Sequence, residues 1–253
     1  MSKNKIAKWA ELAAFPNVVQ HSTGYLQATD HHLKGKWKRD MFANENPLVI
    51  ELGCGKGEYT TGLSFMFPEK NFIGVDIKGA RMWRGARTAL EQKLDNAAFI
   101  RTRIEFIDLF FDTDEVDEIW LTFPDPHPGS KNSGKRLTSP WFLNKYRKFL
   151  KHKGIVNLKT DSNDLYEYTL KLAVLNGLEI LLSTKDLHGI YNEKKDAGSQ
   201  GTGASDIAVI DSRDPLLIRT YYEDIFVKNG LKIHYLSFRL EKDKIISDGR
   251  REA

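Results

Sequence analysis

The sequence predicts an α/β protein: a doubly wound, mainly parallel sheet with helices on both faces. Three observations lead there. From Leu48 onward, short apolar runs of strand length alternate with stretches of helical periodicity. The first run, LVIELG (48–53), ends in glycine and opens into a helix, as a buried parallel strand does. The second, NFIGVDI (71–77), carries an acid, Asp76, at its end. The chain has 253 residues, enough for a full core, and 41% apolar with 28% charged residues is an ordinary globular composition.

Taken in order, residues 1–46 read as a basic N-terminal extension and 47–253 as the principal domain. The first forty residues hold seven Lys or Arg against three Asp or Glu. Trp9, Leu12, Phe15 and Val18 fall three apart, the spacing of a short docking helix, and the aromatics among them suit anchoring to a core. After the first strand, EYTTGLSFMF (58–67) can form a helix that stops before Pro68. ARMWRGARTALEQKL (80–94) is a longer helix, AAFIR (97–101) a third strand and VDEIWLTF (116–123) a fourth. Proline, glycine and serine make 124–140 irregular. A helix follows at 141–150, a strand at 154–160, a helix at 165–176 and strands at 178–184 and 232–240, with GSQGTGAS (198–205) read as a mobile loop.

Several function classes fall away early. A single cysteine, Cys54, excludes an intrachain disulfide, and no apolar run reaches 18 residues. The N-terminus lacks an apolar signal core, so a cytoplasmic protein with no membrane segment is expected. His31 and His32 lack the Cys or carboxylate spacing of a metal site, and no metal is expected. The net charge is +4, but its distribution is uneven. Residues 104–118 carry seven acids and no base; 127–159 carry nine Lys or Arg and no acid. The second block is a candidate footprint for a polyanion, the plainer alternative being a solvated face.

In doubly wound sheets ligands bind beyond the carboxyl ends of the strands. Glu51, Gly53, Gly55 and Asp76 stand there, and a carboxylate such as Asp76 can accept ribose hydroxyl protons. These features suit NAD and S-adenosylmethionine alike. Two details favour S-adenosylmethionine. The glycine spacing is G-x-G-x-G, not the diphosphate fingerprint G-x-G-x-x-G. Glu51 beside the glycines suits a methionyl ammonium and would repel a pyrophosphate. The fold expected is therefore the Rossmann-like class I S-adenosylmethionine-dependent methyltransferase fold. Cys54 reads as a small buried turn residue. The fourth strand runs into Pro124-Asp125-Pro126, where flanking prolines restrict the backbone and aim the Asp125 carboxylate.

With these residues in view, the chain resembles the tRNA (guanine-N7-)-methyltransferase family. The motifs are ELGCGKG (51–57), GVDIKGAR (74–81), LTFPDPH (121–127), the basic cluster 131–136, LKTDS (158–162) and TYYE (220–223). The resemblance implies methyl transfer to guanine N7 in the variable loop of tRNA. It implies donor contacts at Glu51, Asp76 and Asp125, and tRNA contacts at Lys131, Asp161, Thr220, Tyr221, Tyr222 and Glu223. Lys135 and Arg136 join Lys131 as expected phosphate contacts. Where the family carries Asp or Asn near the adenine this chain has Arg103, so a backbone contact shared with Ile104 is expected there. Pro128, Gly129 and Ser130 lengthen the loop behind the proline motif.

Guanine N7 has a lone pair and no proton, so its methylation needs alignment and electrostatics but no general base. Asp125 is the candidate catalytic residue, stabilising the charge that arrives on guanine. Asp161 could accept hydrogen bonds from guanine N1 and N2 or cap the helix after it, dividing these roles with Ser162. A methyltransferase for another acceptor and a non-catalytic RNA-binding protein on the same fold are the competing readings. The first predicts no basic surface, the second a decayed donor site.

Overall fold

Buried apolar runs place five strands side by side at the centre of the molecule. In a computed structural model describing residues 3–20, 29–191 and 213–249, all five residues of β2 (Leu48–Leu52) are buried. β3 (Asn71–Asp76), β4 (Ala97–Arg101) and β5 (Val116–Thr122) flank it and its neighbours, and β6 (Leu150–Thr160) follows. The order across the eight-stranded sheet is β1-β4-β3-β2-β5-β6-β8-β7, where β1 is Val18–Gln20, β7 Ile180–Thr184 and β8 His234–Leu240. β8 pairs antiparallel with both β6 and β7; the pairings from β1 to β6 are parallel. From β2 the chain adds strands on one side as far as β4 and then on the other from β5, so the winding order reverses between β2 and β5, and the crevice beyond their carboxyl ends is where such folds hold ligands.

Helices cover both faces: α2 (Glu58–Met66), α3 (Gly79–Glu91), α4 (Pro140–Tyr146), α5 (Asn163–Leu175) and α6 (Tyr221–Lys228). The larger core includes Trp37, Phe110, Phe111, Tyr146 and Phe149; a second, around Tyr59, Trp120 and Tyr235, lies under the strands that carry the site. Gly85 of α3 packs directly on the glycine turn. A Cβ there would stand 2.6 Å from the Lys56 carbonyl oxygen and 2.8 Å from Gly57 Cα, so only glycine permits this approach.

The expected N-terminal extension is woven into the sheet. α1 (Lys3–Ala13) lies on α3, with Leu12 fully buried and the Trp83 indole donating to Glu11 at 2.9 Å. The helix stops short of Phe15, and Val18 begins β1, pairing with Phe99. Trp37 starts a π-helical turn (Trp37–Phe42), is fully buried and donates its indole N–H to the Phe110 carbonyl at 2.7 Å. The helix expected at 141–150 ends at Tyr146, because Leu150 already pairs with Val116 and opens a longer β6 than the 154–160 expected. The glycine-rich stretch 198–205 lies outside the described residues.

Candidate active site

A cavity of about 730 Å³ opens at the switch point. Glu51, Gly53, Gly55, Asp76, Arg103, Ile104, Asp125, Lys135, Asp161, Thr220 and Tyr222, all expected from sequence, line it. Lys131, Arg136, Tyr221 and Glu223 do not.

One half of the cavity is built around two carboxylates. Glu51, at the end of β2, is buried and accepts from the Thr60 amide at 2.9 Å, the Thr60 hydroxyl and the Thr122 hydroxyl. A carboxylate offers about four acceptor positions, so one remains for a donor in the cavity. Burial pushes the Glu51 carboxyl above the usual carboxylate range, against the three hydrogen bonds that lower it. Asp76 is oriented by backbone amides: Gly55 N–H donates to Oδ2 at 2.9 Å and Lys78 N–H to Oδ1 at 2.7 Å. Gly53 (φ 86°) and Gly55 (φ 54°) are left-handed, and a Cβ at either would meet no atom within 4 Å. Open space over two left-handed glycines, between two carboxylates, fits S-adenosylmethionine. Cys54 is buried beneath the turn and burial pushes its thiol well up, so it stays protonated.

Sequence reasoning missed Thr60 and Thr122, which hold Glu51, and the apolar wall offered by Ile77. Ile77 is 51% exposed yet lines the cavity beside Asp76. Its signal was its place directly after a strand-end acid. The Arg103 guanidinium pairs with Glu105 at 3.1 Å, both side chains being well exposed, and Arg103 and Ile104 both line the cavity.

The other half of the cavity is formed by the loop after β5. Phe123 (φ 49°) and His127 (φ 43°) are left-handed non-glycine residues, each directly before a proline. Such backbone costs about 1–3 kcal/mol per residue and persists only where surroundings over-determine it. Phe123 N–H donates to the Lys159 carbonyl at 2.8 Å, and Arg136 grips the other end. Its Nε reaches the Pro126 and His127 carbonyls at 3.1 and 3.3 Å, its Nη2 the His127 carbonyl at 3.2 Å, and its guanidinium lies over the Tyr168 ring at 4.3 Å. Arg136 is 7% exposed. Its expected phosphate contact is therefore corrected: it holds the Pro124-Asp125-Pro126 loop. Lys131 is exposed outside the cavity, and Lys135 borders it.

At the end of β6, the capping role falls to Ser162, and Asp161 faces the cavity. Ser162 caps α5, accepting from the Leu165 amide at 3.2 Å. Asp161 lines the cavity, half-buried, and burial raises its carboxyl above the ordinary value.

Glu223 also departs from expectation. It is fully buried, 2.9 Å from Lys159 Nζ, itself fully buried, and 3.1 Å from His188 Nε2. Lys159 further donates to the carbonyls of Leu216 and Ile218 at 3.1 and 3.0 Å. Glu223 therefore anchors the segment before α6 from inside and cannot meet RNA. Thr220 caps α6, accepting from Glu223 N–H at 3.2 Å. Tyr221 and Tyr222 stand 53% and 41% exposed, with Lys56 Nζ 3.7 Å from the Tyr221 ring centre.

The long acid-free stretch is neither a polyanion footprint nor a solvated face as a whole. Lys145 and Lys148 pair with Asp108 and Lys151 with Asp117, both acids of the acidic block. Arg147 binds the Glu241 and Lys242 carbonyls. Adding Arg136 and Lys159, six of the nine cations are held internally. Only Lys131, Lys135 and Lys153 of the nine have no side-chain partner among the described residues.

The fold and the two-carboxylate cradle define an S-adenosylmethionine-dependent methyltransferase of the Rossmann-like class. The same fold is found in the crystal structure of the 16S rRNA methyltransferase KamB, at a TM-score of 0.56 and 10% identity over 84% of this chain and 94% of that one. An antibiotic-related methyltransferase superposes at 0.55 with 14% identity, covering 84% and 96%. The profile of a family described as "Putative methyltransferase" matches residues 45–198. The tRNA (guanine-N(7)-)-methyltransferase of Bacteroides thetaiotaomicron is 45% identical, covering 98% of this chain and 90% of its own length. Those of Christiangramia forsetii and Porphyromonas gingivalis are 46% and 48% identical, covering 95% and 90% of this chain and 99% and 86% of theirs. The chain belongs to the tRNA (guanine-N(7)-)-methyltransferase family.

Proposed function

We propose that this protein transfers a methyl group from S-adenosylmethionine to N7 of a guanine in the variable loop of tRNA, giving 7-methylguanosine, in the cytoplasm. The observation that carries the reading is one cavity lined by Glu51 and Asp76 on one side and by Asp125 and Asp161 on the other. No helix among the described residues is long and apolar enough to cross a membrane, and no three-residue metal cluster occurs among them.

The donor supplies an activated methyl on its sulfonium. Glu51, with one acceptor position left, takes a proton donor of the methionyl ammonium. Asp76 keeps acceptor capacity on both oxygens for the ribose hydroxyls. Ile77 and Ile104 give the base an apolar wall, and the backbone at Arg103 borders it. On the acceptor side Asp161 receives the N–H donors of guanine N1 and N2, a pairing that adenine cannot offer. Tyr222 provides an aromatic edge for a base turned out of its stack. Asp125 lies where positive charge arrives on the purine and stabilises it electrostatically. Its loop is held by Arg136 and by β6, so little reorganisation accompanies the transfer. Lys135 and Lys131 meet phosphates on the outer side, with Thr220 and Tyr221 bordering the mouth.

The test is direct. The protein is incubated with unmodified tRNA and S-adenosylmethionine carrying a labelled methyl, and nucleosides are resolved by mass spectrometry. Label in 7-methylguanosine at the variable loop is the expected outcome; label in another base, or only in protein, would overturn it.

A further inference from the structure

The cavity has a second set of cations, more than the single carboxylate of the donor can pair. Lys56 lies within the glycine turn, Lys78 and Arg81 stand at the start of α3, and all three line the cavity. Lys78 and Arg81 are exposed. Arg84, three residues beyond Arg81 on the same helical face and also exposed, continues the line outward. None of the four has a carboxylate partner among the described residues, whereas Lys145, Lys148 and Lys151 all do. Glu58, the acid nearest in sequence to Lys56, accepts from the Tyr221 amide at 2.9 Å.

S-adenosylmethionine is itself a net cation: sulfonium and ammonium outnumber its one carboxylate. That carboxylate can engage one of these side chains at most. Gathering unpaired cations around a cationic ligand is unfavourable unless a polyanion joins them. We infer that Lys56, Lys78, Arg81 and Arg84 form a phosphate-binding rim for the tRNA backbone on the donor side of the cavity, opposite Lys131 and Lys135. The inference rests on the tRNA reading above. A guanine turned into the cavity carries a phosphate on each side of its ribose, so the backbone must pass both walls. Cations on both walls bracket it, and Tyr221, packed under Lys56, adds a stacking surface beside the phosphate site.

The variant Lys56→Gln/Lys78→Gln/Arg81→Gln is compared with the parent for binding unmodified tRNA over a series of salt concentrations, and for S-adenosylmethionine affinity by calorimetry. Each lost phosphate contact lowers the log–log salt slope by about 0.7–0.9, which near 0.1 M salt corresponds to roughly five- to eightfold weaker binding. The triple variant is expected to lose about 2.1–2.7 units of slope, with donor affinity falling by no more than one carboxylate contact. The charge-keeping variant Lys56→Arg/Lys78→Arg/Arg81→Lys is expected to retain the slope. A triple variant with the parent's slope and affinity, or one that loses donor affinity instead, overturns the rim. The parent serves as the separate control: if it neither binds nor methylates tRNA, the functional reading fails and the rim with it. If it methylates tRNA while the triple variant keeps the slope, the rim alone fails.

Discussion

Replacing Lys159 by methionine breaks the most enclosed ion pair of the described chain. Lys159 and Glu223 are both 0% exposed, and Nζ reaches Glu223 Oε2 at 2.9 Å and two backbone carbonyls at 3.1 and 3.0 Å. Methionine fills the volume but leaves Glu223 charged and buried, with His188 as its remaining partner. Stranding one member of a buried pair costs about 3–5 kcal/mol. For a chain of this size that lowers Tm by roughly 6–20 °C. Urea unfolding should give the same loss at low and high salt, because ions do not screen an enclosed pair as they do an exposed one. Removing both charges with Lys159→Met/Glu223→Leu should recover much of it. The pH dependence follows in sign. Burial pushes the Glu223 carboxyl up, but His188 and Lys159 outweigh it and hold the group below its ordinary value. Such a group contributes stability above its unfolded-state pKa and loses it as pH falls through the folded value. The gap between parent and Lys159→Met should therefore narrow on acidification. A loss under about 1 kcal/mol, the range of exposed pairs, would refute the reasoning.

Asp125→Asn keeps shape but deletes charge, and single-turnover methyl transfer should slow by about 10²–10³ with tRNA affinity little changed; an unchanged rate would leave Pro124-Asp125-Pro126 as a structural turn. Burial raises the Glu51 carboxyl, so its ionisation costs stability as pH rises through that raised value. Glu51→Gln should therefore raise Tm of the ligand-free protein at neutral pH while weakening donor binding, and should remove the loss of donor affinity on acidification that calorimetry would show for the parent. Arg136→Lys should lower Tm and the methyl-transfer rate by loosening Pro126 and His127, yet leave the salt slope of tRNA binding as it was; a shallower slope would return Arg136 to the RNA surface. Gly85→Ala sets a methyl 2.6 Å from the Lys56 carbonyl oxygen, and overpacking of this kind costs about 1–3 kcal/mol by urea unfolding.

What could be read from sequence was set by local pattern. β2, β3, β4 and β5 lie within a residue or so of their expected ranges, because buried parallel strands are continuous apolar runs with turn residues at their ends. Glu51, Asp76, Asp125 and Asp161 stand out in sequence for the same reason: each lies at or just after the carboxyl end of a strand. The misreadings concern partners far along the chain. Arg136 looks like a surface cation until Pro126 and Tyr168 close over it. Glu223 sits beside two exposed tyrosines, and its inward turn is decided by Lys159 and His188. The basic block looked available because the acids that neutralise it belong to a separate stretch, which α4 and β6 meet only in the folded protein. Lys56, Lys78 and Arg81 come after strand ends as well, and all three line the cavity.

The antiparallel strand β8 has a consequence for synthesis. It lies between β6 and β7, pairing Gly154 through Thr160 with Leu240 through His234 on one side and Ile180 through Thr184 on the other. Both neighbours leave the ribosome before it. Until residues 234–240 emerge, β7 has no strand to join and β6 presents an open edge, a template for unwanted pairing. The six strands from β1 to β6 can assemble while translation continues, but completion waits for the last strand. A chain interrupted before His234 would carry the donor cradle on an unfinished sheet, and would be recognisable to proteases and chaperones by that open edge.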